Sequence, residues 1–287
     1  MAAIDTGTDE LLCDLDEGVA TVTLNKPDKR NALGDILTPA LRAILLELEA
    51  DPRCGAIVLT GAGTAFCAGG DVSGMGGSRT SDGRRTPDSG GTSGNNAPQR
   101  TLEDGVRSLI HKQETLTLRL HELAKPTIAA LPGPAAGAGL SIALAADMRI
   151  MADSAFITTA FANIGLSGDY GASWLLTQLV GPAIAKELFM TARRVGAEEC
   201  LQLGIANRVV PFDDLQANAR ALAQQIADGP RTALRYMKEN LNRALVADFR
   251  TCLAHEADRT VRASQTADHS EAVRAFVEKR APKFDHP

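Results

Sequence analysis

Two short runs near the start of the chain, Leu11 to Leu15 and Val19 to Leu24, are rich in apolar and β-branched residues. The second run alternates in the manner of a half-buried strand. Between the runs lies Asp16-Glu17-Gly18, a turn signal. The pattern predicts an opening β-hairpin.

Helical spacing of apolar residues follows the hairpin. Leucine and isoleucine recur every three or four residues from Asp35 to Ala50, and Asp51-Pro52 ends this helix before an apolar run at 56–60. A second helix is predicted over 102–124, before another strand. Its apolar face would consist of Leu109, Ile110, Leu116, Leu120 and Leu123. Strands that alternate with helices in this way indicate an α/β domain with a parallel sheet.

The second half of the chain becomes mostly helical. Short strands are predicted at 148–151 and 155–158, and a helix begins at Ala172. From Asp213 to Lys279 nearly every residue fits a helix, with Gly229-Pro230 as the clearest break. We therefore predict a core over residues 1–205 and a C-terminal helical region over 206–287.

One segment departs from this pattern. Residues 74–100 are glycine, serine, threonine, aspartate, asparagine, proline and arginine with almost no apolar residue. Such a composition cannot bury enough surface to order itself alone. We interpret it either as a lid over a neighbouring site or as an insertion without function.

Composition narrows the function classes. The chain has 287 residues, 44% hydrophobic and 4% aromatic, and a net charge of −5, which argues against a nucleic-acid footprint. No apolar run reaches about 18 residues, and the N-terminus lacks the apolar segment of a signal peptide. The five cysteines are odd in number and show no paired spacing, so we expect reduced thiols in a cytoplasmic protein without a membrane contact.

Two runs of small residues carry the candidate chemistry. Thr60-Gly-Ala-Gly-Thr-Ala-Phe-Cys-Ala-Gly-Gly-Asp71 and Pro132-Gly-Pro-Ala-Ala-Gly-Ala-Gly-Leu-Ser141 each follow a predicted strand. Small residues let backbone N–H groups approach a ligand closely. Two such turns could therefore donate two hydrogen bonds to one oxygen, as in an oxyanion hole.

Nucleotide-binding and hydrolase motifs fit these turns less well. Gly61-Ala-Gly63 and Gly137-Ala-Gly139 resemble the start of a dinucleotide fingerprint, but the third glycine is missing from both. Gly139-Leu-Ser141-Ile-Ala143 resembles a nucleophile elbow that lacks its last glycine. Neither motif accounts for the residues at 25–33.

Five segments together resemble the crotonase superfamily, which contains enoyl-CoA hydratases and isomerases. They occur in the order that the family has and extend from about Gly18 to Phe284. They are Asn25-Lys-Pro-Asp-Lys-Arg-Asn-Ala-Leu33, Ala65-Phe-Cys-Ala-Gly-Gly-Asp71, the stretch from Gly133 to Asp147, Gly165-Leu-Ser-Gly-Asp-Tyr-Gly171 and Phe276-Val-Glu-Lys-Arg-Ala-Pro-Lys-Phe284. The resemblance implies an α/β fold built as a spiral of β-β-α units, with a C-terminal helical region that forms trimers.

The resemblance also implies site residues. The two oxyanion donors would be the N–H groups of Ala68 and Ala138, and the substrate a CoA thioester, with no separate cofactor or metal. The remaining substrate-binding candidates are Lys26, Arg30, Ala32, Gly70, Asp71, Val72, Ser141, Phe161, Trp174 and Lys283. Trp174 also fits a simple helix-core position, and Lys283 is expected to reach the CoA of a neighbouring subunit.

The carboxylates distinguish this chain from the hydratases of that family. Hydratases of that family carry a glutamate at each of the positions of Ser141 and Phe161. The hydroxyl of Ser141 can bind water but is a poor base near neutral pH, and Phe161 cannot exchange a proton. One carboxylate remains at Asp169, where related isomerases carry a proton-transferring aspartate. Asp169 could instead cap the helix that begins near Gly171.

A single carboxylate suits a double-bond isomerase, which removes a proton from one carbon and returns it to another. We therefore predict an acyl-CoA enzyme of this type, assembled as a homotrimer or hexamer. An enoyl-CoA hydratase that holds water with Ser141 and Asp169 is the first alternative. A non-catalytic acyl-CoA-binding protein is the second.

Overall fold

The computed structural model describes residues 2–71 and 101–286, and the predicted lid or insertion at 74–100 lies outside them. The strands are β1 Ala2–Ile4, β2 Leu11–Asp16, β3 Val19–Leu24, β4 Ala56–Gly61, β5 Thr127–Leu131, β6 Ala135–Ala136, β7 Met148–Ala152, β8 Phe156–Thr158, β9 Val195–Gly196 and β10 Arg208–Val210. The helices are α1 Leu37–Ala50, α2 Leu102–Gln113, α3 Arg119–Glu122, α4 Ala138–Ala145, α5 Ala172–Thr191, α6 Ala197–Gln202, α7 Leu215–Ala227, α8 Arg231–Ala244, α9 Phe249–Ala263 and α10 Ala267–Glu278.

Seven strands form one sheet in the order β1-β2-β3-β4-β5-β7-β10. β2 and β3 pair antiparallel, as the predicted hairpin requires, and the pairs from β3 to β10 are parallel. A smaller sheet, β6-β8-β9, lies beside it. The units β2-β3-α1, β5-β6-α4 and β7-β8-α5 each contain two strands and a helix, which confirms the predicted α/β architecture of β-β-α units.

The predicted helix over 102–124 is present but its buried face is different. Leu116, Leu120 and Leu123 are buried, whereas Leu109 and Ile110 are 40% and 46% exposed. A π-helical segment, Glu114–Leu118, joins α2 to α3. Its wider turn rotates the following residues relative to α2, so the strict helical spacing used for the prediction does not hold across it.

The boundary predicted at 205/206 is also corrected. β10 pairs with β7 in the main sheet, and α7 buries Leu215, Ala219 and Ala223 in the core. Residues up to about 227 therefore belong to the core, and the separate helical region consists of α8, α9 and α10. No helix among the described residues is long and apolar enough to cross a membrane.

Candidate functional site

The two small-residue turns meet at one edge of the main sheet. They follow β4 and β5, which are parallel neighbours, so both turns lie at the same end of the sheet. The N–H groups of Phe66 and Cys67 donate to the carbonyl oxygen of Pro134 at 3.0 and 3.2 Å, and the Ala136 N–H donates to Cys67 O at 3.0 Å. The two loops are therefore held against each other by backbone hydrogen bonds.

The Ala138 N–H is the donor that the second turn offers. Ala138 is the first residue of α4, where helical N–H groups lack an intrahelical acceptor. Gly69 of the first turn lies beside it: a Cβ at Gly69 would be 3.6 Å from Ala138 N and 2.9 Å from Ala136 O. A glycine with φ of +94° at position 69 therefore leaves space next to the Ala138 amide.

In the first turn the backbone N–H without an acceptor among the described residues is that of Gly70 and not that of Ala68. The Ala68 N–H donates to Arg30 O at 2.9 Å, so it is not free to bind a substrate oxygen. The Leu33 N–H donates to Gly69 O and the Asp71 N–H to Leu33 O, both at 2.8 Å, and the Gly70 amide points to the opposite side of this ladder. Gly70 N–H has no acceptor in the described part of the chain.

Asp169 lies in a conformationally unusual segment just before α5. Gly168, Tyr170 and Gly171 have φ values of +114°, +49° and +78°, the left-handed region that non-glycine residues rarely adopt. Asp169 Oδ1 is buried and has no hydrogen-bond donor among the residues described. Burial raises the pKa of the Asp169 carboxyl above its usual value.

Helix capping does not explain Asp169. The N-cap of α5 is Gly171, and no side chain caps this end of the helix. The carboxylate is thus neither a cap nor a member of an ion pair within 2–71 and 101–286, which leaves it available to a substrate.

Phe161 forms an apolar wall between the two functional elements. A Cβ atom added to Gly137, the residue before Ala138, would lie 3.8 Å from the ring. A Cβ atom added to Gly168 would lie 4.0 Å from it. The ring is 4% exposed and stacks on Phe189 with centroids 5.9 Å apart. The position that the resemblance expects to hold a glutamate therefore presents an apolar ring beside Gly137 and Gly168.

Ser141, predicted to bind substrate, hydrogen-bonds to the backbone of both segments of the site. It is fully buried, and its Oγ lies 3.0 Å from Asp169 O and 3.2 Å from Gly137 O. The hydroxyl therefore has two backbone carbonyls as hydrogen-bond acceptors, and one of them is the carbonyl of Asp169 itself.

A cavity of about 700 Å³ lies beside this segment, between α5 and helices α8 and α9. Its walls include Tyr170, Gly171 and Trp174, whereas Asp169, Gly70 and Ala138 do not line it. Trp174 is 38% exposed and makes an edge contact with His121, so it is a cavity residue and not a helix-core residue. Burial lowers the pKa of His121, which favours its neutral form.

The predicted substrate-binding residues Lys26, Arg30 and Ala32 lie in the loop at 25–34. Lys26 Nζ pairs with Glu10 at 3.3 Å, Arg30 is exposed with φ of +49°, and Ala32 is buried. Asp71 follows Gly70 in the same ladder, and Val72 lies outside the described residues. The exposed Lys283 follows α10, where its N–H donates to Glu271.

Asn31 is a structural residue that the sequence reasoning did not single out. Its side chain donates to the carbonyls of Ala62 and Ala65 at 3.0 and 2.8 Å and accepts from the Lys26 N–H at 2.8 Å. Asn31 is fully buried and joins the 25–34 loop to the first small-residue turn. The sequence signal that could have identified Asn31 is its place as a polar residue within the Asn25 to Leu33 segment.

A family described as enoyl-CoA hydratase/isomerase matches residues 14–90 and 89–287. The chain belongs to this family. It therefore has the crotonase fold and is an enzyme that processes acyl-CoA thioesters. The crystal structure of an enoyl-CoA hydratase from Polaromonas sp. JS666 superposes with a TM-score of 0.83 at 31% identity, covering 96% of this chain and 99% of that chain.

Relatives within the enoyl-CoA hydratase/isomerase family carry different activities in their names. The 1,2-epoxyphenylacetyl-CoA isomerase of Escherichia coli is 34% identical over 96% of this chain and 97% of its own length. The short-chain-enoyl-CoA hydratase of Clostridium acetobutylicum is 33% identical over 91% of this chain and 92% of its own length. Similarity alone does not separate isomerase from hydratase, so the choice depends on the residues of the site.

Proposed function

We propose that this enzyme moves a double bond of an enoyl-CoA thioester with Asp169 as its only acid/base. The N–H groups of Gly70 and Ala138 donate to the thioester oxygen, where negative charge develops. Asp169 takes a proton from C2 of a 3-enoyl thioester, which leaves a dienolate. The same carboxyl group then returns the proton to C4 and gives the 2-enoyl product.

One observation carries this proposal: the half-buried Asp169 has a buried Oδ1 without a hydrogen-bond donor among the described residues, while positions 141 and 161 hold a buried serine and a phenylalanine. A base that must accept and return one proton needs a pKa nearer to the working pH than that of a solvated aspartate. Burial shifts the pKa of Asp169 in that direction. Addition of water would instead require groups that hold and activate a water molecule.

A hydratase is the second candidate, because the name of the Clostridium relative is that of a hydratase. In this case Asp169 would activate water for addition to a 2-enoyl thioester. The test gives the enzyme a 3-enoyl and a 2-enoyl thioester separately and follows conjugation by absorbance. We expect conversion of the 3-enoyl thioester to be the faster reaction; a faster loss of conjugation from the 2-enoyl thioester would favour the hydratase.

The pH dependence of turnover follows from the burial of Asp169. Asp169 must be ionised to take a proton, so kcat/KM should fall as the pH drops through its raised pKa. The apparent pKa of this fall at low pH, the acid limb of the pH profile, should therefore lie above the ordinary aspartate pKa of 3.8. Phe161→Ser should admit water and move this limb to lower pH, whereas Phe212→Ser, outside the site, should not. An unshifted limb in Phe161→Ser would exclude the proposed role of the Phe161 wall.

For the rest of the substrate we propose that Lys26, Arg30, Ala32 and Asp71 contact the CoA moiety. Lys26 and Arg30 supply positive charge near the loop that precedes the oxyanion donors. We further propose that the acyl group extends toward the cavity lined by Trp174. Lys283 would then contact CoA bound to a neighbouring subunit.

We also expect the enzyme to assemble as a trimer, or as a hexamer of paired trimers. Large apolar side chains of α9 and α10 are exposed in the single chain, including Phe249 at 78% and Phe276 at 84%. Exposed apolar surface of this kind marks an interaction face. Light scattering at micromolar concentration should show the mass of three or six chains, and a monomer would contradict this expectation.

A further inference from the structure

The peptide plane that follows Asp169 is held from both sides. Its carbonyl, Asp169 O, lies 3.0 Å from Ser141 Oγ of α4. Its amide, Tyr170 N–H, donates to Gln113 Oε1 at the end of α2, with a donor–acceptor distance of 2.6 Å. Two side chains from two different helices thus hold one peptide unit.

We propose that Ser141 and Gln113 are positioning residues that fix this plane and thereby hold the Asp169 carboxylate in its reactive orientation. The inference rests on the proposed function, in which Asp169 is the base. Neither residue touches the reacting carbons. Both act through the backbone of Asp169.

Backbone strain explains why this segment needs two side chains to hold it. Tyr170 has φ of +49° and follows a glycine and an aspartate in a loop without regular structure. A non-glycine residue in this region costs about 1–3 kcal/mol and persists only when its surroundings fix it. The Ala172 N–H also donates to Asp169 O, at 3.2 Å. This turn hydrogen bond leaves the Tyr170 amide unheld, so without the two side chains the plane is less firmly fixed and the Asp169 side chain can change direction.

Ser141 also connects Asp169 to the oxyanion donor. Its Oγ contacts Asp169 O and also lies 3.2 Å from the carbonyl oxygen of Gly137. Gly137 is the residue before Ala138. The hydroxyl has one proton to donate to the two carbonyls, and the shorter distance favours the hydrogen bond to Asp169 O. The serine therefore sets the position of the base relative to the first turn of α4.

Gln113 lies at the point where α2 changes to a π-helical turn. It is the last residue of α2, directly before the π-helical segment Glu114–Leu118. Such segments occur frequently at functional sites. Arg42 supports the same region, since its Nη2 donates to Lys112 O at 3.1 Å and lies 3.4 Å from the Tyr170 hydroxyl.

The test compares Gln113→Met, which removes the acceptor at similar length, with Gln113→Glu, which keeps it. Ser141→Ala is compared with Thr159→Val, because Thr159 Oγ1 also makes a buried hydrogen bond to a carbonyl, Leu188 O at 2.9 Å. Each variant is assayed for kcat, KM, the acid limb of the pH profile and thermal unfolding. Asp169→Asn is measured in the same series.

We expect Gln113→Met and Ser141→Ala to lower kcat by about tenfold or more, the scale of a displaced catalytic group, with KM changed less than about twofold. Their acid limbs should move to lower pH as water reaches the released carboxylate. Gln113→Glu should recover most of the kcat lost in Gln113→Met, and Thr159→Val should lose stability but keep its kcat and pH profile.

Two outcomes would distinguish an error in the positioning role from an error in the proposed function. If Asp169→Asn abolishes turnover while folded Gln113→Met and Ser141→Ala keep wild-type kcat and pH profiles, the positioning role is wrong and the base assignment stands. If Asp169→Asn retains turnover, the proposed function itself is wrong. A double variant whose loss in kcat is smaller than the product of the single losses would support action on one shared peptide plane.

Discussion

Asp169→Asn should lower the isomerisation rate of a 3-enoyl-CoA thioester by about 10²- to 10⁴-fold, the usual contribution of one general base. Asparagine keeps the size of the side chain but cannot accept and return a proton. In the proposed site the thioester oxygen is held by backbone N–H groups of other residues, so substrate affinity should change little. Steady-state rates together with a binding measurement for an unreactive thioester separate the two effects.

The control is Asp153→Asn, which changes an exposed carboxylate next to β7, outside the site. It should leave turnover unchanged. Circular dichroism of the Asp169→Asn protein must show the folded state before its activity is interpreted. Full activity of folded Asp169→Asn on the 3-enoyl thioester would disprove the assignment of Asp169 as the base.

Ala138→Pro should lower turnover by about 10²-fold or more, the scale of one lost oxyanion donor. Proline has no N–H, so one of the two hydrogen bonds to the thioester oxygen disappears. Position 138 is the first residue of α4, where helices tolerate proline well. The effect should fall on the chemical step, and single-turnover kinetics would measure it.

Ala138→Gly is the matched control because it changes the side chain at the same position, by removing the methyl group, but keeps the backbone N–H. It should retain activity within severalfold of the wild type. Near-normal turnover of folded Ala138→Pro would show that the Ala138 amide does not stabilise the oxyanion.

Much of the site could be predicted because it depends on backbone turns with a clear composition. The parallel order of β4 and β5 follows from the strand and helix pattern, and it brings the two small-residue turns to one edge of the sheet. For the first turn the resemblance implies Ala68 as the donor, whereas the Ala68 N–H already donates to Arg30 O. Successive N–H groups of an extended segment point in opposite directions, and only the pairing of Leu33 with Gly70 shows that Ala68 is occupied and Gly70 is free.

Side-chain roles were less accessible to the sequence than backbone turns. The resemblance implies that Ser141 contacts substrate, and it does not indicate that the hydroxyl donates to the carbonyl of Asp169. The partner on the other side of that peptide, Gln113, is separated from it by 57 positions in the chain. No local pattern predicts such a contact, because the two residues are brought together only by the tertiary fold.

The most direct test of single-base isomerisation is the product that the wild-type enzyme forms from a 3-enoyl-CoA thioester in ¹⁸O-labelled water, analysed by mass spectrometry at short reaction times. Double-bond migration through Asp169 predicts a conjugated 2-enoyl thioester of unchanged mass without ¹⁸O. A main product heavier by one water and labelled with ¹⁸O would contradict this mechanism, because it would show that the site activates water as a hydratase does.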